Sequence, residues 1–288
     1  MAVGTYALTT RDALKTYLGV TTSTDDTLMD SCIDRATAQI ERYIGRSIRS
    51  RTWNEWHTWN EWHYLFYDRV LRVKQSPVSS IVGVFGGWEH ALTIQSTTTT
   101  DIQVSASINT EAIGSGNPGE EVPSMILTRM AVGGTVTTTT LSFATYTDCA
   151  DLVTAISATS GFSATLARDM PTLNLRPMVG DCLISSLYID GARTPIETAI
   201  DSANGLLRLE EGSSLSQSLL VRYVAGYATT PADIEQACLH VSARIFLARK
   251  ADTSVTSESL GDYSYSRAAP DADRTLLAML LADWREIR

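Results

Sequence analysis

Histidine, cysteine and proline are scarce in this chain, at 4, 4 and 8 of 288 residues. Each scarcity excludes something. Cys32, Cys149, Cys182 and Cys238 are far apart in sequence, and no two stand at metal-ligand spacing. Cys32 and Cys238 fall on apolar helical stripes, where a thiol behaves as a small hydrophobe. Reduced, structural cysteines are expected, as in a cytosolic assembly context. His57 and His63 are six residues apart, about 20 Å along a strand and too far to share a metal. No HExxH motif, Walker loop, GxSxG elbow or post-strand GxGxxG is present. The adjacent acid pairs Asp25-Asp26, Glu120-Glu121 and Glu210-Glu211 fall in turns or helix starts, where they read as solvated cap charges. No catalytic constellation, cofactor site or metal site is expected.

Basic residues are also in deficit: 23 Lys and Arg against 32 Asp and Glu, for a net charge of −9. A protein that grips phosphates needs a basic surface, so specific nucleic-acid binding is not expected. An acidic channel wall that DNA slides past remains compatible with this balance. No apolar run approaches the roughly 18 residues of a membrane span. The first residues lack the basic and apolar regions of a signal peptide.

What is present is helical periodicity at both ends. Thr9-Thr10-Arg11-Asp12 opens like a capped helix, ending at Gly19. A second helix starts near Asp25-Asp26. Its stripe is Ile33, Ala36, Ile40, Tyr43 and Ile44, and Gly45 is its stop. Far downstream, Thr230 as N-cap, Pro231 at the first helical position and Asp233 near the positive dipole end open a long helix. That helix buries Ile234, Ala237, Cys238, Val241, Ile245 and Ala248. A polar linker runs to Pro270. A last helix carries Leu276, Leu277, Leu280, Leu281, Trp284 and Ile287.

The interior reads as strands. Thr52-Trp53-Asn54-Glu55-Trp56-His57 is repeated at once as Thr58-Trp59-Asn60-Glu61-Trp62-His63. Six residues preserve face in a strand but turn about 600° in a helix. One continuous strand is therefore expected, with tryptophan on both faces. Strands follow at 70–73 and 80–85, either side of Pro77. The threonine-rich stretch beyond them is expected to hold strands at 101–108, 124–130, 135–145 and 162–167, with a helix from Asp148 to Ser157. Two more strands, 205–209 and 219–224, are joined by a polar loop. The expected class is α+β: a helical bundle of 1–50 plus 228–288, a β segment of 51–90 plus 187–227, and an inserted small α+β domain at 91–186.

Several phrases occur in a telling order: Ile40-Glu41-Arg42-Tyr43-Ile44-Gly45-Arg46; Ser76-Pro77-Val78; Gly205-Leu206-Leu207-Arg208-Leu209; Val221-Arg222-Tyr223-Val224-Ala225-Gly226-Tyr227; a proline-opened helix ending Ala248-Arg249-Lys250; and Ser257 to Ser264. This order resembles the head–tail connector (adaptor) family of long-tailed bacteriophages, over about residues 7–90 and 187–288. The segment 91–187 and the tandem tryptophan motif depart from that pattern. The resemblance implies a virion neck protein, assembled in the host cytoplasm, whose copies form a ring, usually of twelve, beneath the portal. The ring would extend a channel that double-stranded DNA crosses without specific binding. It would also meet a downstream neck or tail protein. Portal docking is expected from the C-terminal segment: Leu276, Leu280, Trp284, Ile287 and Arg288. A ring needs two different complementary faces, and the candidates are the aromatic strand at 52–67, with Trp53, Trp56, Trp59, Trp62 and Tyr64, and the β segment near 205–224. The stretch 252–270 is expected to order on assembly. The alternative is a carbohydrate-binding or adhesion module in which the same tryptophans stack on sugars beside Asn and Glu.

Overall fold

The computed structural model describes residues 3–58, 62–65, 68–110, 122–196, 198–201, 205–209, 218–249, 257–260, 263–266, 278 and 280–284. The chain falls into two compact units. One gathers its ends, Met1–Ser50 and Gly226–Arg288. The other is built from Arg51–Ser115 and Glu120–Ala225.

In the unit of chain ends, α1 (Arg11–Leu18) starts where the Thr10 hydroxyl accepts from the Ala13 amide at 3.2 Å and stops at left-handed Gly19. Helix α2 (Asp26–Ile44) stops at Gly45, φ 87°. The later helix, α4 (Ala232–Ala248), begins one residue after the sequence predicts, with Pro231 as its cap and no side-chain cap bond. Ala36, Ile40 and Ile44 of α2 pack with Ile234, Ala237, Cys238 and Val241 of α4, and Leu8, Ile48 and Leu281 close this core. A second cluster joins Leu14, Met29, Cys32 and Ile33 to Ala243 and Phe246. Each fully buried Leu or Ile contributes about 1.5–3 kcal/mol, so these stripes hold the helices together. Arg11 ties α1 to α2 through the fully buried Asp30 (Nε to Oδ1 2.7 Å) and through Asp26. Lys15 lies 2.5 Å from Asp26 and, with Arg11, holds that carboxyl below its usual range.

The other unit carries most of the strands. An antiparallel five-stranded sheet has β1 (Arg51–Thr58), β13 (Ser218–Ala225), β4 (Val78–Ser96) and β10 (Leu187–Pro195) in that order, and β8 (Phe162–Leu166) also pairs with β4. A four-stranded sheet orders β11 (Thr198–Asp201), β12 (Leu206–Leu209), β3 (Asp68–Arg72) and β2 (Trp62–Leu65). A second four-stranded sheet orders β7 (Val136–Ser142), β6 (Ser124–Ala131), β5 (Asp101–Asn109) and β9 (Met178–Asp181). Helix α3 (Cys149–Ala158) is capped by the Asp148 carboxylate on the Asp151 amide at 2.9 Å. Its Leu152 and Ile156 share a core with Val104, Met125 and Leu127, and that core takes in Leu92 and Ile94 of β4 and Ile189 of β10.

Three expectations are corrected. The chain is mostly β, not a helical bundle: fifteen strands stand against four α-helices among the described residues. The apolar stripes at the two ends are the most strongly periodic part of the sequence. The interior strands are rich in Ser, Thr and Gly and alternate only weakly. The duplicated motif is not one strand, because β1 ends at Thr58 in the five-stranded sheet and β2 opens at Trp62 in another. Both strands expected at 205–209 and 219–224 are present, and they lie in different sheets: β12 joins β11 and β3, while β13 joins β1 and β4. Within the expected polar linker, Ser257–Leu260 (β14) pairs antiparallel with Tyr263–Ser266 (β15) as a hairpin.

Candidate functional site

The first copy of the tryptophan motif lies on β1 and is largely turned into the protein. Asn54, Glu55 and His57 are buried, at 0%, 4% and 2% exposure. Glu55 accepts from the Tyr223 hydroxyl at 2.5 Å, from the Lys74 amide at 3.0 Å, and pairs with His57 Nε2 at 3.1 Å. Tyr223 Oη also accepts from the Gln75 amide at 3.1 Å. Burial raises the Glu55 carboxyl, but the bonds from His57, Tyr223 and Lys74 outweigh it and hold the group below its usual range. This carboxylate is a bolt joining β1, β13 and the turn after β3.

Asn54 heads a second network. Its Nδ2 donates to the carbonyls of Thr110 and Leu173, both at 2.9 Å. Arg222 Nε donates to Asn54 Oδ1 at 3.1 Å, and Arg222 Nη2 donates to Asn174 Oδ1 at 2.7 Å. Asn174 in turn donates to the Ala192 carbonyl at 2.8 Å. Burial lowers the Arg222 guanidinium from its usual value. Amide oxygens satisfy this cation, an arrangement that locks strands and is not built for proton transfer. Trp56 donates to Thr110 Oγ1 at 3.2 Å and stacks on Trp88, with centroids 5.0 Å apart and planes at 6°. The Arg176 guanidinium lies 4.9 Å from the centre of the Trp88 ring. Trp53 packs against the core of Val84, Val221 and Tyr223.

Of the five residues expected at subunit contacts, Trp53 and Trp56 are therefore half-buried structural side chains of β1. Trp62 and Tyr64 lie on β2 in a different sheet, and Trp59 lies outside the described residues. The structure thus does not gather the five on one strand. The buried Asn54 and Glu55 point away from solvent and offer a sugar no hydrogen bonds from the first copy. In the expected portal segment, Leu276, Ile287 and Arg288 lie outside the described residues. Leu280 and Trp284 pack on the helical core, and Trp284 meets Tyr227 edge-on at 5.6 Å. Sequence reasoning missed Arg222, Asn174, Thr110 and Tyr223. An arginine amid the apolar run Leu219 to Val224 was the available signal, because a charge there must be matched inside.

Among the described residues no cluster of His, Cys, Asp and Glu is arranged to hold a metal. The four cysteines are free and buried. Burial pushes the Cys149 thiol up to about 12, and Cys182 and Cys238 up to about 11. A thiol reagent such as DTNB is therefore expected to leave the native protein unmodified at pH 8 and to titrate all four cysteines in denaturant. Rapid reaction of a native thiol would contradict the burial.

Residues 10–110 match the sequence profile of the family described as phage gp6-like head-tail connector protein. That family is a structural connector family and not an enzyme class. No curated protein matches the chain. Among solved structures, a chain from the neck of an empty GTA particle computed with C6 symmetry is similar at 12% identity and a TM-score of 0.42, covering 100% of this chain and 94% of that one. At that score the likeness carries no argument for fold or role. The connector resemblance rests instead on the profile match: residues 10–110, from α1 through β5, are similar to the phage gp6-like head-tail connector family.

Proposed function

We propose that the protein is a structural subunit of a virion neck, which forms a ring, docks beneath the portal, extends the DNA channel and joins head to tail. The observation that carries this reading is the connector match over residues 10–110. The net charge of −9 supports a channel wall that repels phosphate and lets double-stranded DNA pass without gripping it. The chemistry of the interior agrees with a scaffold: Glu55, His57 and Arg222 are consumed in strand-to-strand bonds. The ring is a twelve-mer in this reading, with the portal on one side and a downstream neck or tail protein on the other. The segment 91–186 is an outward-facing decoration that widens the collar. The residues beyond Trp284 meet the portal, while Leu280 and Trp284 anchor them to the helical core.

The test is native mass measurement and negative-stain imaging of the purified protein, alone and mixed with its cognate portal. Rings, or portal particles with an added collar, are the expected result. A monomer that leaves the portal unchanged would overturn the reading.

A further inference from the structure

Two features of the fold are incomplete in complementary ways. The first is β7, the terminal strand of the sheet β7-β6-β5-β9, which among the described residues pairs with β6 alone. An exposed edge strand is a template for another strand, and proteins normally blunt it with charge or proline. Here, from Met130 to Thr147, the chain has neither a charged residue nor a proline. Val132 and Val136, at the β6–β7 turn, are 73% and 57% exposed. Of the other edges, β1 carries Arg51 and Glu55, β10 carries Asp190 and Arg193, β11 carries Asp201, and β9 (Met178–Asp181) follows Pro177 and ends in a charge; β8 (Phe162–Leu166) and β2 (Trp62–Leu65) are uncharged too but shorter than the seven residues of β7. In a chain of net charge −9, an uncharged edge is where a second equally acidic copy meets least repulsion.

The second feature is the β14–β15 hairpin. It is a two-stranded sheet of its own and pairs with no other strand among the described residues. Such a hairpin is marginally stable at best in water and gains stability by joining a third strand.

We propose that β7 of one copy accepts the β14–β15 hairpin of a neighbouring copy by strand addition. This is a head-to-tail contact between two different surfaces, the kind that closes a ring when the rotation allows it. Main-chain hydrogen bonds supply the attachment, and the lack of charge along β7 lets the backbones approach. The proposal rests on the ring reading above and names the contact that builds it.

The test uses engineered cysteines, with no background from the four buried native thiols. Thr139→Cys marks the edge. Ser259→Cys and Ser264→Cys mark the two hairpin strands. Assembled protein is oxidised with copper phenanthroline and run without reductant. A mixture of the edge variant and a hairpin variant is expected to give covalent heterodimers, and a chain carrying both cysteines is expected to give a ladder. Thr138→Lys with Thr140→Lys is expected to raise the concentration needed for assembly by about tenfold or more, with unchanged thermal unfolding. Dimers from Thr139→Cys alone would mean that β7 pairs with itself, and the proposal falls. A cross-link confined within one chain overturns it too. Rings that form without any of these cross-links overturn the contact and leave the ring reading standing. Failure to assemble, alone or on the portal, removes both.

Discussion

Glu55→Ala is expected to destabilise the β-rich unit by about 3–5 kcal/mol, because it strips the acceptor from donors that stay buried. Three groups converge on that carboxylate, from Tyr223, His57 and the Lys74 amide, and water cannot replace it at 4% exposure. Glu55→Gln keeps one carbonyl oxygen and the side-chain volume, so its loss should be smaller. Urea unfolding of the three proteins at pH 7 measures the order. An alanine variant with wild-type stability would show that the carboxylate is no bolt. The same group predicts a pH dependence. Its folded pKa lies below the ordinary carboxylate value of 4.5, so folding favours the ionised form. That stabilisation is complete well above pH 4.5 and is lost as pH falls through the folded pKa. The wild-type advantage over Glu55→Gln should therefore shrink as acid is added, and an advantage that is flat from pH 7 to pH 3 would contradict the assignment.

Gly226→Ala is the second large effect, at about 2–4 kcal/mol of lost stability. Gly226 has φ 108°, and a Cβ there would stand 2.7 Å from the Arg49 carbonyl oxygen and 2.8 Å from that of Ile48. Both obstacles are backbone, so relief requires moving the chain where the Tyr227 amide donates to Ile48 O at 2.7 Å and the Ser50 amide to Tyr227 O at 2.9 Å. Gly19→Ala is the natural comparison. That glycine is also left-handed, at φ 66°, but a Cβ meets nothing within 4 Å. It should cost only the backbone preference, about 1 kcal/mol. Thermal unfolding of the two variants separates strain from collision, and equal losses would refute the account of Gly226.

These two glycines show what could be read ahead of the structure. Gly19 and Gly45 end helices whose apolar stripes repeat at helical spacing, so local pattern sufficed for α1, α2 and most of α4. Gly226 stands in the connector-like phrase Ala225-Gly226-Tyr227, yet its reason, a carbonyl from a residue far back in the chain, has no local trace. The same divide runs through the site. The helix expected from Asp148 to Ser157 is legible locally, and the Asp148 cap that starts α3 spans only three residues. Arg222 reaching Asn54 and Asn174 spans 168 and 48 residues, and no periodicity encodes it. The helical bundle was over-read for a related reason: strands such as β9 and β11, four residues each, are too short to carry an alternation to count. The duplicated motif misled because face-matching tests a strand's geometry but not its continuity.

That duplication has a consequence for how the chain finds its place. The slot beside β13 is filled by Trp53-Asn54-Glu55-Trp56-His57, and an identical string lies six residues downstream. Residue identity within the motif therefore cannot tell the first string from the second: the label is degenerate. What breaks the tie is punctuation outside it. Ser50 is already hydrogen-bonded to Tyr227 and Arg51 already sits opposite Ala225, with no slack between Ser50 and Trp53 to pay out six more residues. The register of the most information-rich stretch in the sequence is thus set by the plain residues that precede it.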